Sequence, residues 1–165
     1  MKLNNRTIIR KILERDRDWI RDVLISSWGS TKIVSRGVIH QADDLHGFIA
    51  EDSGNRVGLL TYDHRDCSLE IVTLNVLTSG KGVGKSLVSK VIDLATSGKC
   101  KRIWVITTND NIPAMKFYEA VGFQLFKEHK GAIEHSRKLK PEIPLIGIND
   151  VPVMDELEYE IILKE

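Results

Sequence analysis

The stretch LEIVTLNVLTSGKGVGKSLV, residues 69–88, decides the fold because its structural period changes in the middle. The first half is an apolar run rich in β-branched residues, which is typical of a strand. The centre, SGKGVGKS at residues 79–86, is a glycine-rich turn, and apolar residues recur at helical spacing from Val83 onward. A strand that enters a helix through such a turn brings free backbone N–H groups and the positive end of the helix dipole together. The sequence therefore predicts an anion-binding loop.

The ending of this loop fits a Walker-type P-loop, whereas its opening does not. Gly84, Lys85 and Ser86 match the end of GxxxxGK[ST], but the first glycine of that motif would fall at Ser79. The next apolar strand, RIWVITTND, ends in Asp110, and 79 residues follow Ser86 (165 − 86). An ATP-dependent phosphotransferase with an irregular P-loop remains an alternative hypothesis.

Upstream of this stretch, the pattern predicts an antiparallel half. We expect a strand over residues 7–13, a helix over about 16–28, a loop around WGSTKIVSRG and HQADDLHG, and then strands over 47–52, 56–65 and 68–77. The connectors between the last three strands are short enough for hairpins.

Downstream, the pattern predicts two further helices and three further strands. We expect the helices over 83–97 and 111–121, stopped by Gly98 at the C′ position and by Gly122, and the strands over 102–108, 123–129 and 157–163. The β-helix-β unit over 68–108 implies a right-handed parallel crossover, so the fold class is α/β with a mixed sheet. Residues 131–156 hold three of the four prolines and show no convincing period, although their apolar content argues against disorder.

Composition limits the partners. A chain of 165 residues that is 42% apolar and 28% charged is typical of a single domain, here residues 1–165. The net charge of +1 gives no support for nucleic acid or a membrane surface as partner. Two cysteines, the lack of an apolar leader and the lack of a long apolar run favour a cytoplasmic protein.

Two motifs together resemble the GNAT superfamily of acetyl-CoA-dependent N-acetyltransferases. The family's phosphate loop, [QR]xxGx[GA], corresponds here to Ser79, Gly82 and Gly84, with serine where arginine or glutamine is usual. Its following helix, NxxAxxFYxxxGF, is matched completely within NDNIPAMKFYEAVGF by Asn111, Ala114, Phe117, Tyr118, Gly122 and Phe123. The resemblance covers about residues 7–129.

The resemblance implies a GNAT fold, acetyl-CoA as co-substrate, and direct transfer of the acetyl group to an amine in a ternary complex. The cofactor-binding residues that it implies are Leu74, Asn75, Val76, Gly80, Lys81, Gly82, Val83, Gly84, Lys85, Ser86, Asn111, Ala114, Phe117 and Tyr118. We expect Gly82 and Gly84 to let the backbone approach a pyrophosphate, and the N–H of Leu74 to donate to the thioester oxygen. Ser86 either contacts phosphate or faces solvent, and Asn111 is either an N-cap or a pantetheine contact. A catalytically silent acyl-CoA-binding module is the other alternative.

Two residues are candidates for acid–base chemistry. Tyr118, with an ordinary pKa near 10, is protonated at pH 7 and could protonate the departing thiolate; its alternative is a structural role. Glu70, on the strand that feeds the loop, resembles the position of the general base in histone-type members and could otherwise be a surface carboxylate. Asp63, Asp66 and Glu51 rank behind it.

The acceptor site has the weakest pattern. We expect it in residues 26–46 and 131–156, with Trp28 either on its wall or in the core. A small-molecule amine is favoured over a protein, and family members often form homodimers through their C-terminal strands. His64 and Cys67 have metal-like spacing, but partners at suitable spacing are lacking, so no metal site is expected.

Overall fold

Nine strands and four helices make up the described part of the chain. The computed structural model describes residues 7–164. The strands are β1 (Thr7–Lys11), β2 (Lys32–Ser35), β3 (Val38–Gln41), β4 (His46–Asp52), β5 (Asn55–Arg65), β6 (Ser68–Val76), β7 (Arg102–Thr108), β8 (Gln124–His129) and β9 (Glu156–Ile162). The helices are α1 (Arg17–Trp28), α2 (Val83–Ser97), α3 (Ile112–Ala120) and α4 (Ala132–Leu139), and 3₁₀ turns cover Glu14–Asp16, Ala42–Asp44 and Ile148–Asp150.

Seven strands form one mixed sheet in the order β1-β4-β5-β6-β7-β9-β8, and β2 and β3 form a separate hairpin. Only the pair β6–β7, joined by α2, is parallel among the paired strands of residues 7–164. The predicted mixed sheet, antiparallel in its first half and with one β-helix-β crossover, is therefore confirmed.

Two apolar clusters pack on opposite faces of the sheet. Neighbouring residues alternate between them: Phe48 and Leu60 join the cluster under α2 and α3, whereas Ile49 and Leu59 join the cluster under α1. This alternation is the period of a strand that is buried on both faces. We call the two sides the α2 face and the α1 face. Within residues 7–164, every helix is too short or too polar to cross a membrane.

The helix stops differ in one detail from the prediction. Gly122 follows α3 with φ of 106°, as expected of a glycine stop. Gly98, however, is the C-cap of α2 with φ of −81°, and the left-handed residue at the C′ position is Lys99, with φ of 55°. The helix still ends at Ser97, so the glycine marks the end of α2 without supplying its left-handed turn.

Two segments predicted as irregular contain regular structure. The predicted loop around WGSTKIVSRG and HQADDLHG holds the hairpin β2–β3, which turns at Arg36 and Gly37, both with positive φ. Residues 131–156 hold the two-turn helix α4. Its buried positions are Ile133 and Ser136, so a polar residue interrupts the apolar pattern that would have revealed it. The run SRKLK, residues 136–140, lies mostly in this helix.

Candidate active site

The sheet opens along its parallel pair. β6 and β7 pair only from Ser68 with Arg102 to Ile71 with Val105, although both strands continue further. At this point the register between β5 and β6 shifts: Thr61 faces Thr73, while Tyr62 faces Ile71. The extra residue is Val72, and a bulge of this kind bends a strand away from its neighbour. A gap between β6 and β7 therefore begins just after Ile71.

Backbone N–H groups of β6 point toward this gap. The N–H of Leu77 donates to the carbonyl of Val57 on β5, 2.8 Å away. Because alternate residues of a strand bond to the same neighbour, Asn75 also faces β5, whereas the N–H groups of Leu74 and Val76 face the open side. The backbone N–H groups of Leu74 and Val76, which we predict to contact the cofactor, are therefore free to donate to an extended ligand.

The glycine-rich loop ends at the first turn of α2. Gly80 and Gly82 have φ of 78° and 69°, which residues with a Cβ rarely adopt. The first turn of α2 has no acidic residue. Its free N–H groups therefore form a positive site for an anion.

Side chains around the loop have separate roles. Lys81 Nζ lies 3.0 Å from Asp52 Oδ2, so its charge is already paired, whereas Lys85 is exposed. The hydroxyl of Ser86 donates to the carbonyl of Gly82 at 3.0 Å, which stabilises the first turn of α2. Of the two positive side chains, Lys85 is the one whose charge the described residues leave unpaired.

Gly84 lies where α2 packs closely against α3 and β6. A Cβ at this position would lie 3.2 Å from two ring atoms of Phe117 and 3.3 Å from Val76 Cγ2. The missing side chain lets α2 approach α3 and the end of β6, a packing reason that stands beside the predicted approach to a ligand. At Gly82 the positive φ explains why the residue is glycine, because a Cβ there would meet nothing within 4 Å.

α3 begins with Asn111, whose side-chain oxygen accepts a hydrogen bond from the N–H of Ala114 at 3.2 Å. The N-cap interpretation is therefore the one that the geometry supports for this oxygen. Ala114 and Phe117 are partly buried against the core cluster of the α2 face, so this side of the helix points inward.

Tyr118 is buried in an aromatic cluster. Its ring is 5.2 Å from that of Phe117 and 5.4 Å from that of Phe123, both in edge-to-face arrangement. Burial raises its pKa well above the ordinary value, so the phenol stays protonated at neutral pH. Its hydroxyl has no hydrogen-bond partner within residues 7–164, which leaves the proton free for a ligand.

On the α1 face, Asn75 ties the end of α1 to β6. Its amide donates to Ser27 Oγ at 2.8 Å, and its oxygen accepts from Trp28 Nε1 at 3.4 Å. Trp28 is 40% exposed, so it is no core tryptophan and lies at the rim beside the gap. The side chain of Asn75 therefore has a structural role, and its backbone faces β5 rather than the gap.

The segment after α4 approaches the end of α1. A Cβ on Gly29, the residue after α1, would lie 3.6 Å from Glu142 Cβ, so residues 26–46 and 131–156 do meet. The buried Asp110 anchors this segment by accepting from the N–H of Ile148 at 3.0 Å. We call residues 141–154 the strap.

Glu70 and His40 lie together on the α1 face. Leu69 and Ile71 join the cluster under α2, so Glu70 between them points to the other side. Glu70 is 6% exposed, and its Oε1 has no hydrogen-bond partner. His40 Nε2, from β3, is 3.3 Å from Glu70 Oε2. His40 is not among the predicted site residues. The two short β-branched runs IVS and VIH on either side of Arg36–Gly37 are the only signal that could have revealed its hairpin.

Of the other candidate carboxylates, Glu51 and Asp63 have arginine partners. Glu51 bonds to Arg10 Nε at 2.8 Å, and Asp66 lies in a turn with φ of 52°. Asp63 pairs with Arg65 at 2.7 Å. His64 Nε2 lies 3.5 Å from Cys100 Sγ, and no group of three or more possible metal ligands occurs among residues 7–164.

Sequence relatives resemble this chain over most of its length. The Acetyltransferase (GNAT) family matches residues 13–123. The "Uncharacterized protein YxbD" of Bacillus subtilis (strain 168) is 37% identical over 142 residues, which cover 86% of this chain and 89% of that protein. The "Uncharacterized protein YdhI" of the same strain is 36% identical over 143 residues, 85% of this chain and 88% of that protein.

Solved structures share the fold at low identity. An IAA acetyltransferase from Bacillus cereus has a TM-score of 0.74 at 19% identity, covering 95% of this chain and 99% of its own. A GNAT family acetyltransferase from Elizabethkingia anophelis with acetyl-CoA bound has a TM-score of 0.69 at 17% identity, covering 97% and 100%. The motifs, the gap in the sheet and these matches agree: the chain belongs to the GNAT family of acetyltransferases.

Proposed function

We propose that this chain is an enzyme that transfers the acetyl group of acetyl-CoA to an amine by direct attack in a ternary complex. The observation that carries the proposal is the gap between β6 and β7. It begins at the Val72 bulge, is lined by free backbone N–H groups, and leads to the N-terminus of α2. A narrow slot that ends at a positive helix terminus suits a ligand with an extended arm and a pyrophosphate, which describes coenzyme A.

The cofactor half of the site is largely backbone. The N–H groups of Leu74 and Val76 would hold the pantetheine arm, and the N–H of Leu74 would donate to the thioester oxygen. The amides from Gly80 to Lys85 would bind the pyrophosphate, with the exposed Lys85 adding a charge. Lys81 contributes less because Asp52 already pairs with it.

In the acid–base half, Glu70 takes a proton from the acceptor ammonium and Tyr118 supplies one to the leaving group. The free amine then attacks the thioester carbon, the C–S bond breaks, and the thiolate of coenzyme A receives the Tyr118 proton. The second proton of the attacking nitrogen, lost as the amide forms, returns through solvent to the Tyr118 phenolate. Four residues of a bulged strand separate Glu70 from Leu74, on the order of 10 Å, so we assign a water to the first proton transfer. The unpaired, buried Oε1 of Glu70 supports this role.

We assign a small amine as acceptor. Trp28 and the strap stand at the rim of the gap, and the contact between Gly29 and Glu142 narrows the approach from the α1 face. A protein segment would need an open groove at this position, whereas a small molecule does not.

Ligand-dependent unfolding followed by a thiol-release assay tests the proposal. A ligand at 100 times its dissociation constant adds about 2.7 kcal/mol to the free energy of unfolding. Acetyl-CoA and coenzyme A should raise the melting temperature, Mg-ATP should not, and a panel of amines should then give thiol release with at least one member. A shift with Mg-ATP alone contradicts coenzyme A binding, and a shift without thiol release for any amine identifies a silent acyl-CoA-binding module.

A further inference from the structure

His40 lies between two carboxylates of the sheet. The β2–β3 hairpin carries it onto the α1 face, where it is 4% exposed. Its Nε2 is 3.3 Å from Glu70 Oε2 on β6, and its Nδ1 is 3.7 Å from Asp63 Oδ2 on β5. Glu70 and Asp63 are register partners on adjacent strands, so one imidazole spans both.

This contact is not a completed hydrogen-bond network. His40 Nε2 and Glu70 Oε1 are both buried and lack a hydrogen-bond partner, since the 3.3 Å approach is not aligned as a hydrogen bond. A buried polar atom left unpaired destabilises the fold, and a purely structural contact would avoid that cost. Catalytic hydrogen bonds, in contrast, are often long without substrate and shorten in the complex.

The cluster of Glu70, His40 and Asp63 extends to the protein surface. The side chain of Glu70 is 7% exposed, that of His40 3%, and that of Asp63 20%. Asp63 then pairs with Arg65, whose side chain is 64% exposed. The three acid–base groups therefore run from the interior of the α1 face to the protein surface.

We propose that His40 is a proton relay for the acetyl transfer, which connects Glu70 to solvent through Asp63. The inference rests on the proposed function, because it needs Glu70 to accept the proton of the acceptor ammonium. The protonated Glu70 passes its proton to His40 Nε2, and His40 Nδ1 releases one to Asp63 and then to water. Each turnover thus exports the one proton that the reaction RNH₃⁺ + acetyl-CoA → amide + CoASH + H⁺ produces. His40 touches neither substrate and is a positioning residue in this scheme.

The charges around His40 favour this direction. Glu70 and Asp63 are the titratable groups that face it from the sheet, and Ile33 is opposite it on β2. Arg65, beyond Asp63, is the positive group at the outer end and stabilises the carboxylate there. Two carboxylates thus flank one imidazole, one beside each ring nitrogen.

A double-mutant cycle on the full chain tests the relay. The variants are His40→Gln, Glu70→Gln and the double variant, with His64→Gln as control because it removes an exposed imidazole on the opposite side of β5. The readouts are kcat and KM for each substrate from pH 6 to 10 and the melting temperature. At pH 7, His40→Gln should lower kcat about 10- to 100-fold and leave the KM for acetyl-CoA unchanged. The control should match wild type.

Two results separate the relay from a structural role. The loss in His40→Gln should shrink toward pH 10, where an ordinary amine with a pKa near 10.4 increasingly arrives unprotonated. The double variant should be no slower than Glu70→Gln alone, because both changes interrupt one proton path. An Asp63→Asn variant should show the same pH-dependent loss to a smaller extent.

Other outcomes would contradict the relay, the proposed function or both. A loss that is equal at every pH, or additive with Glu70→Gln, overturns the relay. Wild-type rates in His40→Gln together with a loss in Glu70→Gln overturn the relay and keep the proposed function. Wild-type rates in Glu70→Gln overturn the relay and the base role of Glu70 but keep the acetyl transfer. No thiol release by the wild-type enzyme overturns both the relay and the proposed function. If His40→Gln melts early, His40→Asn takes its place in the cycle.

Discussion

Among the individual side chains, the two acid–base candidates lie on opposite faces of the sheet. Glu70 is on the α1 face beside His40, and Tyr118 is in the cluster of the α2 face. A gap that passes through the sheet is open to both sides, so a thioester held there could meet a base from one face and an acid from the other. This arrangement separates proton removal from proton donation in space.

Replacing Tyr118 by phenylalanine should lower kcat about 10- to 100-fold, because the thiolate would then leave unprotonated. Stability and acetyl-CoA affinity should change little, since the hydroxyl has no partner within residues 7–164. Thiol-release kinetics and thermal unfolding measure the two effects. Tyr159→Phe is the matched control, because Tyr159 is also buried but donates to Glu119 at 3.2 Å. Equal losses in both variants would contradict the acid role.

Among the helices and strands, the packing of α2 on α3 depends on one missing side chain. Gly84→Ala adds a Cβ that presses on Phe117, whose ring already packs against Tyr118. Ala is favoured over Gly in a helix by about 1 kcal/mol, whereas overpacking costs about 1–3 kcal/mol. We expect Gly84→Ala to destabilise the wild-type protein and to stabilise a Phe117→Leu background, as measured by urea unfolding.

Gly54→Ala is the control for this reversal in the effect of Gly84→Ala on the free energy of unfolding. Gly54 has φ of 84°, and a Cβ there would meet nothing within 4 Å, so its cost should come from backbone strain alone and be the same in both backgrounds. If Gly84→Ala has the same effect with and without Phe117, packing is not the reason for the glycine.

The same elements show how far the sequence predicts the fold and the site. It predicts the bounds of α2 and β7 to the residue, because each has a strong period and is bounded by glycine or polar residues. It predicts the bounds of α3 and β9 within one residue at each end. The sequence does not predict the hairpin β2–β3, because strands of four residues show too little periodicity. For the same reason it does not predict His40, which lies on β3.

Across the complete fold, two buried carboxylates hold the two ends of the large sheet. Asp16, 0% exposed, accepts from Arg10, Arg56 and the N–H of Leu13, and thereby ties the start of α1 to β1 and β5. Glu158, also 0% exposed, contacts Arg102, His129 and Arg36, and so joins β7, β8 and the hairpin turn to β9. Each carboxylate connects segments that are distant in the sequence.

These two groups should make the fold sensitive to acid. The hydrogen bonds of Arg10 hold the pKa of Asp16 well below its ordinary value. Burial alone would raise the pKa of Glu158, but the hydrogen bonds from Arg102 and His129 lower it overall. A lowered pKa gives stability that is complete above the unfolded value of about 4 and is lost as the pH falls below it.

Urea unfolding between pH 2 and pH 7 measures this dependence. Asp16→Asn should cost roughly 3 kcal/mol at pH 7, because two arginines lose their buried charge partner, and the difference from wild type should shrink below about pH 4. Glu158→Gln should behave alike. The control Asp18→Asn removes an exposed carboxylate beside Arg21 and should leave the pH dependence unchanged. A constant difference at every pH would contradict the role of ionisation.

The extra residue at Val72 shifts the side-chain alternation of β6 by one position. Before it, the odd-numbered Leu69 and Ile71 face α2; after it, the even-numbered Leu74 does, and the even-numbered Val76 approaches Gly84 of that helix. In a regular strand of the same sequence, Glu70 and Leu74 would share one side, because both are even-numbered. Because of this one inserted residue, Glu70 and Leu74 point to opposite sides of the sheet although both are even-numbered.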